Sequence, residues 1–167
     1  MASTITAGTL KVTIKEEIYL KGKNQGDITE LSIASINEIS KRIVTATTTE
    51  AGLVGFLSAL SSVGVTANKV GYLAGIYDAD DIRYMRFTNL DDENYITLTF
   101  RDEENAEFRI KVDAGHSFIY PGDNSGGVVD TMAARASALA SGLADLVDVT
   151  VDTDTASCDV EVFIASA

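Results

Sequence analysis

Apolar and polar residues alternate in three short runs between Arg83 and Val112. Ile96, Leu98 and Phe100 share one parity, as do Phe108, Ile110 and Val112, while Thr97, Thr99, Arg101, Arg109 and Lys111 fill the positions between them. A period of two with polar partners marks a half-buried antiparallel strand, so this stretch predicts a three-stranded meander with one wet face. The connecting segments Asp91-Asp92-Glu93-Asn94 and Asp102-Glu103-Glu104-Asn105 are built from turn formers. Asp and Asn side chains bond the local backbone and tolerate unusual dihedrals, which makes each segment a turn with a mechanism.

The pattern extends in both directions. Leu10, Val12, Ile14, Ile18 and Leu20 share a parity that Glu16 interrupts, predicting a long first strand with a bend or bulge at Glu16 and a turn over Lys21 to Gly26. From Ile28 to Val44 two signals compete. Ile33, Ile36 and Ile39 are spaced as on a helix, yet the enrichment in Ile, Val and Thr through Thr49 favours strand, and strand is the expectation. Leu53 to Leu60 is too short an apolar run for periodicity to separate a buried strand from a helix. Val70 to Tyr77 and Ile82 to Thr88 predict strands on either side of the acidic turn Asp78 to Asp81. Ala114 to Gly122 predicts a short strand ended by Pro121, which cannot donate to a ladder. Met132, Ala136, Leu139 and Leu143 follow at steps of three and four, with Asp130 placed as N-cap, and predict one short helix near 130–143. Leu146 to Val151 and Asp159 to Ile164 predict two closing strands. Half-apolar sheets bury their inner faces only against each other, so about eight to ten short strands predict an all-β antiparallel sandwich or jelly roll.

Composition then narrows the function classes. The 167 residues suit a single domain over 9–167 behind a flexible N-terminal arm, 1–8, and a domain of this size buries roughly 70% of its unfolded surface. Hydrophobic residues make up 46% and charged residues 23%, which gives enough apolar surface for a core. Thirteen Lys and Arg against 25 Asp and Glu leave a net charge of -12, and such a chain repels a polyphosphate, so nucleic acid is not expected as a partner. The leader lacks a basic n-region and an apolar h-region, and no apolar run approaches the ~20 residues that cross a bilayer. A soluble protein made in the cytoplasm, with no membrane partner, is the expectation.

Candidate chemistry is sparse. Cys158 is the single cysteine, so no intrachain disulfide can form, and its place at a strand start reads as a small buried hydrophobe. His116 is the single histidine; adjacent Ser117 cannot share its strand face, and no G-x-S-x-G elbow exists. The acidic turns offer oxygen ligands but match no EF-hand order, and adjacent pairs such as Asp80 with Asp81 or Glu103 with Glu104 cannot face each other across a cleft. Gly52, Gly55 and Gly64 are spaced wrongly for a dinucleotide fingerprint. Tyr84, Tyr95 and Tyr120 read as core, with a shallow sugar site as the competing reading. No cofactor, metal ligand or catalytic residue is assigned. The leader itself has too little apolar surface to offset ordering costs of ~1 to 2 kcal/mol per residue, so Ser3, Thr4, Ile5 and Thr6 are expected to order on a partner, with Ile5 as anchor.

Four segments carry a resemblance. They are Gly8 to Gly22; Ser32 to Val44 with Thr47 to Glu50; Arg83 to Leu90 running through Gly115 to Pro121; and Val160 to Ala165. Together they resemble virion structural proteins of tailed phages, especially marine and cyanobacterial ones. The resemblance implies a non-enzymatic jelly roll in the virion, either a head decoration or cement protein clamping major-capsid subunits, or a tail, collar or baseplate component. It implies the major capsid protein or other virion proteins as partners, and a homo-oligomer such as a trimer at local threefold sites. Residues 122–145 depart from the shorter loop expected of such proteins, which makes Met132 and Leu139 contact candidates beside the leader. A carbohydrate-binding jelly roll is the alternative from another class.

Overall fold

The structure is a computed structural model that describes residues 6–57, 71–121, 127–133 and 143–167. It is all-β. The alternating first segment forms β1 (Gly8–Lys15) and β2 (Tyr19–Leu20), and the chain returns through β3 (Lys23–Asn24) and β4 (Ile28–Ile36). Next come β5 (Glu38–Ala46), β6 (Ala51–Leu57), β7 (Ile76–Asp78), β8 (Ile82–Asn89), β9 (Ile96–Asp102), β10 (Glu107–Val112) and β11 (Ser117–Pro121). The short β12 (Met132–Ala133) and β13 (Leu143–Ala144) precede the long closing strands β14 (Leu146–Thr153) and β15 (Cys158–Ser166).

Two sheets make the sandwich. One runs β10-β9-β14-β6-β7 and the other β11-β8-β15-β5, all antiparallel except the β6–β7 pair. Leu53, Phe56, Ile96, Leu98, Phe100, Val149 and Val151 from the first sheet meet Met85, Phe87, Val160, Val162 and Ile164 from the second in one continuous core. Phe100 is its centre, with Phe108 stacked at 4.6 Å, Tyr120 at 5.4 Å and Phe87 edge-on at 6.0 Å.

The predicted meander is divided between the two sheets. β9 and β10 form the expected hairpin, from Phe108 opposite Phe100 to Val112 opposite Ile96, but β8 lies in the other sheet between β11 and β15. The corner at Asn89 explains the crossing. Its fully buried side chain donates to the Asn94 carbonyl (2.9 Å) and the Val112 carbonyl (3.2 Å) and accepts from the Asp91 amide (3.1 Å), so it satisfies groups that a hairpin ladder would otherwise have paired.

Three other expectations change. Ile33 and Ile36 both face inward although three residues apart, because a bulge lies between the pairs Leu10–Ile33 and Gly8–Ile36, with Ser35 at φ 61°. The helix-like spacing is thus a property of a bulged strand followed by a break at Asn37. Of the strand expected over Val70 to Tyr77, Val70 lies outside the described residues and the rest is strand only from Ile76; Gly71 and Gly75 take φ of 85° and 111°, and the segment between them runs beside β6 irregularly, with Leu73 N–H donating to the Gly52 carbonyl at 2.9 Å. At the expected helix, Asp130 takes φ 51°, unlike an N-cap, and Met132–Ala133 pairs antiparallel with Leu143–Ala144. Residues 134–142, including Leu139, lie outside the described residues, and no helix occurs among the described ones.

Candidate functional site: a projecting hairpin

β1 to β4 form one long hairpin. Its tip is the two-residue turn Lys21-Gly22, with φ of 51° and 75°, the doubly positive geometry whose twist matches antiparallel strands. The register this turn sets holds from Leu20–Lys23 to Leu10–Ile33. Around Glu16 the regular ladder is interrupted but the hairpin stays closed, since Glu16 N–H donates to the Asp27 carbonyl and Gln25 N–H to the Ile18 carbonyl, both at 2.8 Å. Gly26 is required there: a Cβ on it would lie 1.9 Å from the Glu16 carbonyl oxygen.

Alternation gives the hairpin two different faces. The upper face carries Lys11, Thr13, Lys15 and Glu17 opposite Ser32, Glu30 and Ile28, with Lys11 paired to Glu30 at 2.8 Å. Leu10, Val12 and Ile14 line the underside with Ile33 and Leu31, and because the register resumes unchanged at the tip, Ile18 and Leu20 hold positions of the same parity. At its base this underside lies on the outer face of the four-stranded sheet, where Leu10, Val12, Ile33 and Ile36 pack against Tyr84, Ile119, Phe163 and Ala165. Further out nothing among the described residues covers it. Exposure rises from 3% at Ile33 to 43% at Leu31, 48% at Ile14, 52% at Ile18 and 58% at Leu20. Beyond their mutual ladder, β1 and β4 approach other elements only sparsely, so the outer hairpin is an arm.

The outer sheet face also has an uncovered part. The hairpin base covers β11, β8 and β15, whereas on the edge strand β5 Ile39 and Ile43 are 58% and 60% exposed. Ile39 is the register neighbour of the covered Ala165. A groove of about 310 Å³, lined by Gly8, Leu10, Ile36, Asn37, Glu38 and Ile39, joins the hairpin base to this patch. Beside it Glu161 is held between Lys41 Nζ (2.9 Å) and Arg86, and these cations keep its carboxyl below the usual range.

The sequence-derived candidates fall elsewhere. Thr6 lines the groove at the hairpin base, Met132 is buried in the sandwich core, and Ser3, Thr4, Ile5 and Leu139 lie outside the described residues. His116 is exposed in the turn before β11, its Nδ1 2.9 Å from the Ala114 carbonyl, while the Ser117 hydroxyl is hydrogen-bonded to Thr88 at 2.8 Å. Cys158 is buried, and burial, reinforced by the Asp91 carboxylate, pushes its thiol up, away from the reactive thiolate. The carboxylates that open the acidic turns are occupied by backbone. Asp91 accepts from Glu93 N–H (2.9 Å) and Asn94 N–H (2.6 Å), and Asp102 from Glu104 N–H (3.0 Å) and Ala106 N–H (2.6 Å). Among the described residues no group of three or more His, Cys, Asp or Glu is arranged to hold a metal ion. Tyr84 and Tyr120 pack on opposite faces of the four-stranded sheet, and Tyr95 lies under Lys111 at 4.4 Å next to the other sheet, so the three form no common platform.

The apolar parity of Leu10 to Leu20 is the sequence signal of this arm, but parity predicts only a long strand and not that its apolar side lies open. No family model matches the chain, and neither does any curated protein or solved structure.

Proposed function

We propose that this is a non-enzymatic structural protein of a tailed-phage virion, a head decoration protein that clamps neighbouring major-capsid subunits. One observation carries the reading: an amphipathic arm leaves the sandwich with its apolar underside open to solvent. Ile14, Ile18, Leu20 and Leu31 expose roughly 400 Å² between them, as much as the largest apolar patch of many whole soluble monomers, on one thin hairpin. An isolated two-stranded hairpin is marginal in water, so such an arm gains its stability from whatever covers it. The segments that resemble phage virion proteins supply this arm, the edge strand β5 and much of the four-stranded sheet. A tail, collar or baseplate position would use the same arm in the same way.

The test is composition of the particle. Virions carrying the gene should contain the chain at fixed stoichiometry after gradient purification, and a chain with Ile18→Glu and Leu20→Glu should fold yet be lost from them. Absence of the wild-type chain from purified particles would overturn the proposal. Binding on a glycan array by the isolated protein would favour the carbohydrate-binding alternative.

A further inference from the structure

We propose that the arm of one copy docks head to tail on the uncovered β5 side of the outer sheet face of a second copy. The inference rests on the arm being a contact element, as in the proposed function, and names its partner. The chain already displays the chemistry of the contact, because the base of the same apolar stripe sits on Tyr84, Phe163 and Ala165 of that same face. Ile39, opposite Ala165, and Ile43, opposite Glu161, share the outer face of β5 on either side of Lys41, and the groove between Leu10, Ile36 and Ile39 leads to them. On its own chain the arm's base lies across the neighbouring strands, its outer strands approach other elements only sparsely, and Ile39 and Ile43 stay exposed.

Area and charge suit a second copy. Ile14, Ile18, Leu20 and Leu31 offer roughly 400 Å² and Ile39 with Ile43 roughly 200 Å², which with their polar surroundings reaches the ~1,200 Å² total at the low end of stable interfaces. The arm carries Lys11, Lys15, Lys21 and Lys23 against Glu16, Glu17, Asp27 and Glu30, so it is neutral and adds nothing to the repulsion between acidic bodies. Donor and acceptor are different patches, and a heterologous contact of this kind closes into a ring or grows into an open polymer.

The experiment is light scattering on the purified full-length chain. Wild type should associate at ~100 µM, while Ile18→Glu/Leu20→Glu, which removes the donor, and Ile39→Glu/Ile43→Glu, which removes the acceptor, should each lose at least ~100-fold in affinity. Mixing the two variants should restore a single contact and give a 1:1 heterodimer, because each supplies what the other lacks. An arm-to-arm interface would give no such recovery. A monomeric wild type, an acceptor variant that associates normally, or failure of two folded variants to pair would each overturn the proposal. Near-UV circular dichroism checks folding, and Ile43→Lys alone serves if the double acceptor variant unfolds. The outcome is independent of the virion reading, since no particle is present.

Discussion

Asn89 joins the two layers of the sandwich. With no exposed atoms and three hydrogen bonds, it serves the carbonyls of Asn94 and Val112 and the amide of Asp91. Asn89→Ala would leave these groups unpaired in the interior, where each costs ~1–3 kcal/mol, so a loss of about 3 kcal/mol is expected in chemical denaturation. A loss below about 1 kcal/mol would mean that solvent reaches the corner. Asp91, two residues on, makes a pH-dependent contribution. The amides of Asn94 and Glu93 hold its carboxyl below the usual range. A lowered folded pKa stabilises fully above the unfolded value and is lost as pH falls through the folded one. The gap in melting temperature between wild type and Asp91→Ala should therefore hold from about pH 7 to 5 and shrink from about pH 4 downward. If the gap persists at pH 2, the turn does not depend on that charge.

At the scale of elements, β6 depends on its glycines. The Tyr72 ring lies over Gly52 and Gly55, where an added Cβ would come within 2.8 and 2.6 Å of it, and its hydroxyl donates to Asp148 at 3.0 Å. Burial, with the Asp148 carboxylate beside it, pushes that hydroxyl well above the usual phenol range, so it remains a donor. Asp148 in turn pairs with Arg101 at 3.1 Å. Gly55→Ala must displace the ring and should cost ~1–3 kcal/mol, but far less in a Tyr72→Ala background, where the ring is absent. Equal costs in both backgrounds would place the strain in the backbone instead. Neither this lock nor the arm could be read from local pattern. Alternation located β9, β10, β14 and β15 because each buries one face against the core, and the Asp-led turns behaved as their side chains dictate. Parity does not say which sheet a strand joins, so the split after Asn89 was invisible. A bulge that turns Ile33 and Ile36 to one side imitates a helix, and an apolar stripe looks the same whether its own chain or another molecule covers it.

At the scale of the whole molecule, charge and apolar surface act in opposite senses. The net charge is -12, and because the arm is neutral the remainder of the chain carries all of it. Two copies brought together by an apolar arm must overcome the repulsion of their acidic bodies, which salt screens over a Debye length of about 10 Å at 0.1 M. Raising sodium chloride from about 20 to 200 mM should then tighten self-association by roughly tenfold in analytical ultracentrifugation, the reverse of the loss seen when cations neutralise phosphates. Lowering the pH toward the isoelectric point near 4.3 should act in the same direction, since it discharges the repelling carboxylates. Weakening with salt would mean that ion pairs hold the contact. The acceptor would then be an acidic surface facing Lys21 and Lys23 at the arm tip, not the Ile39 and Ile43 patch.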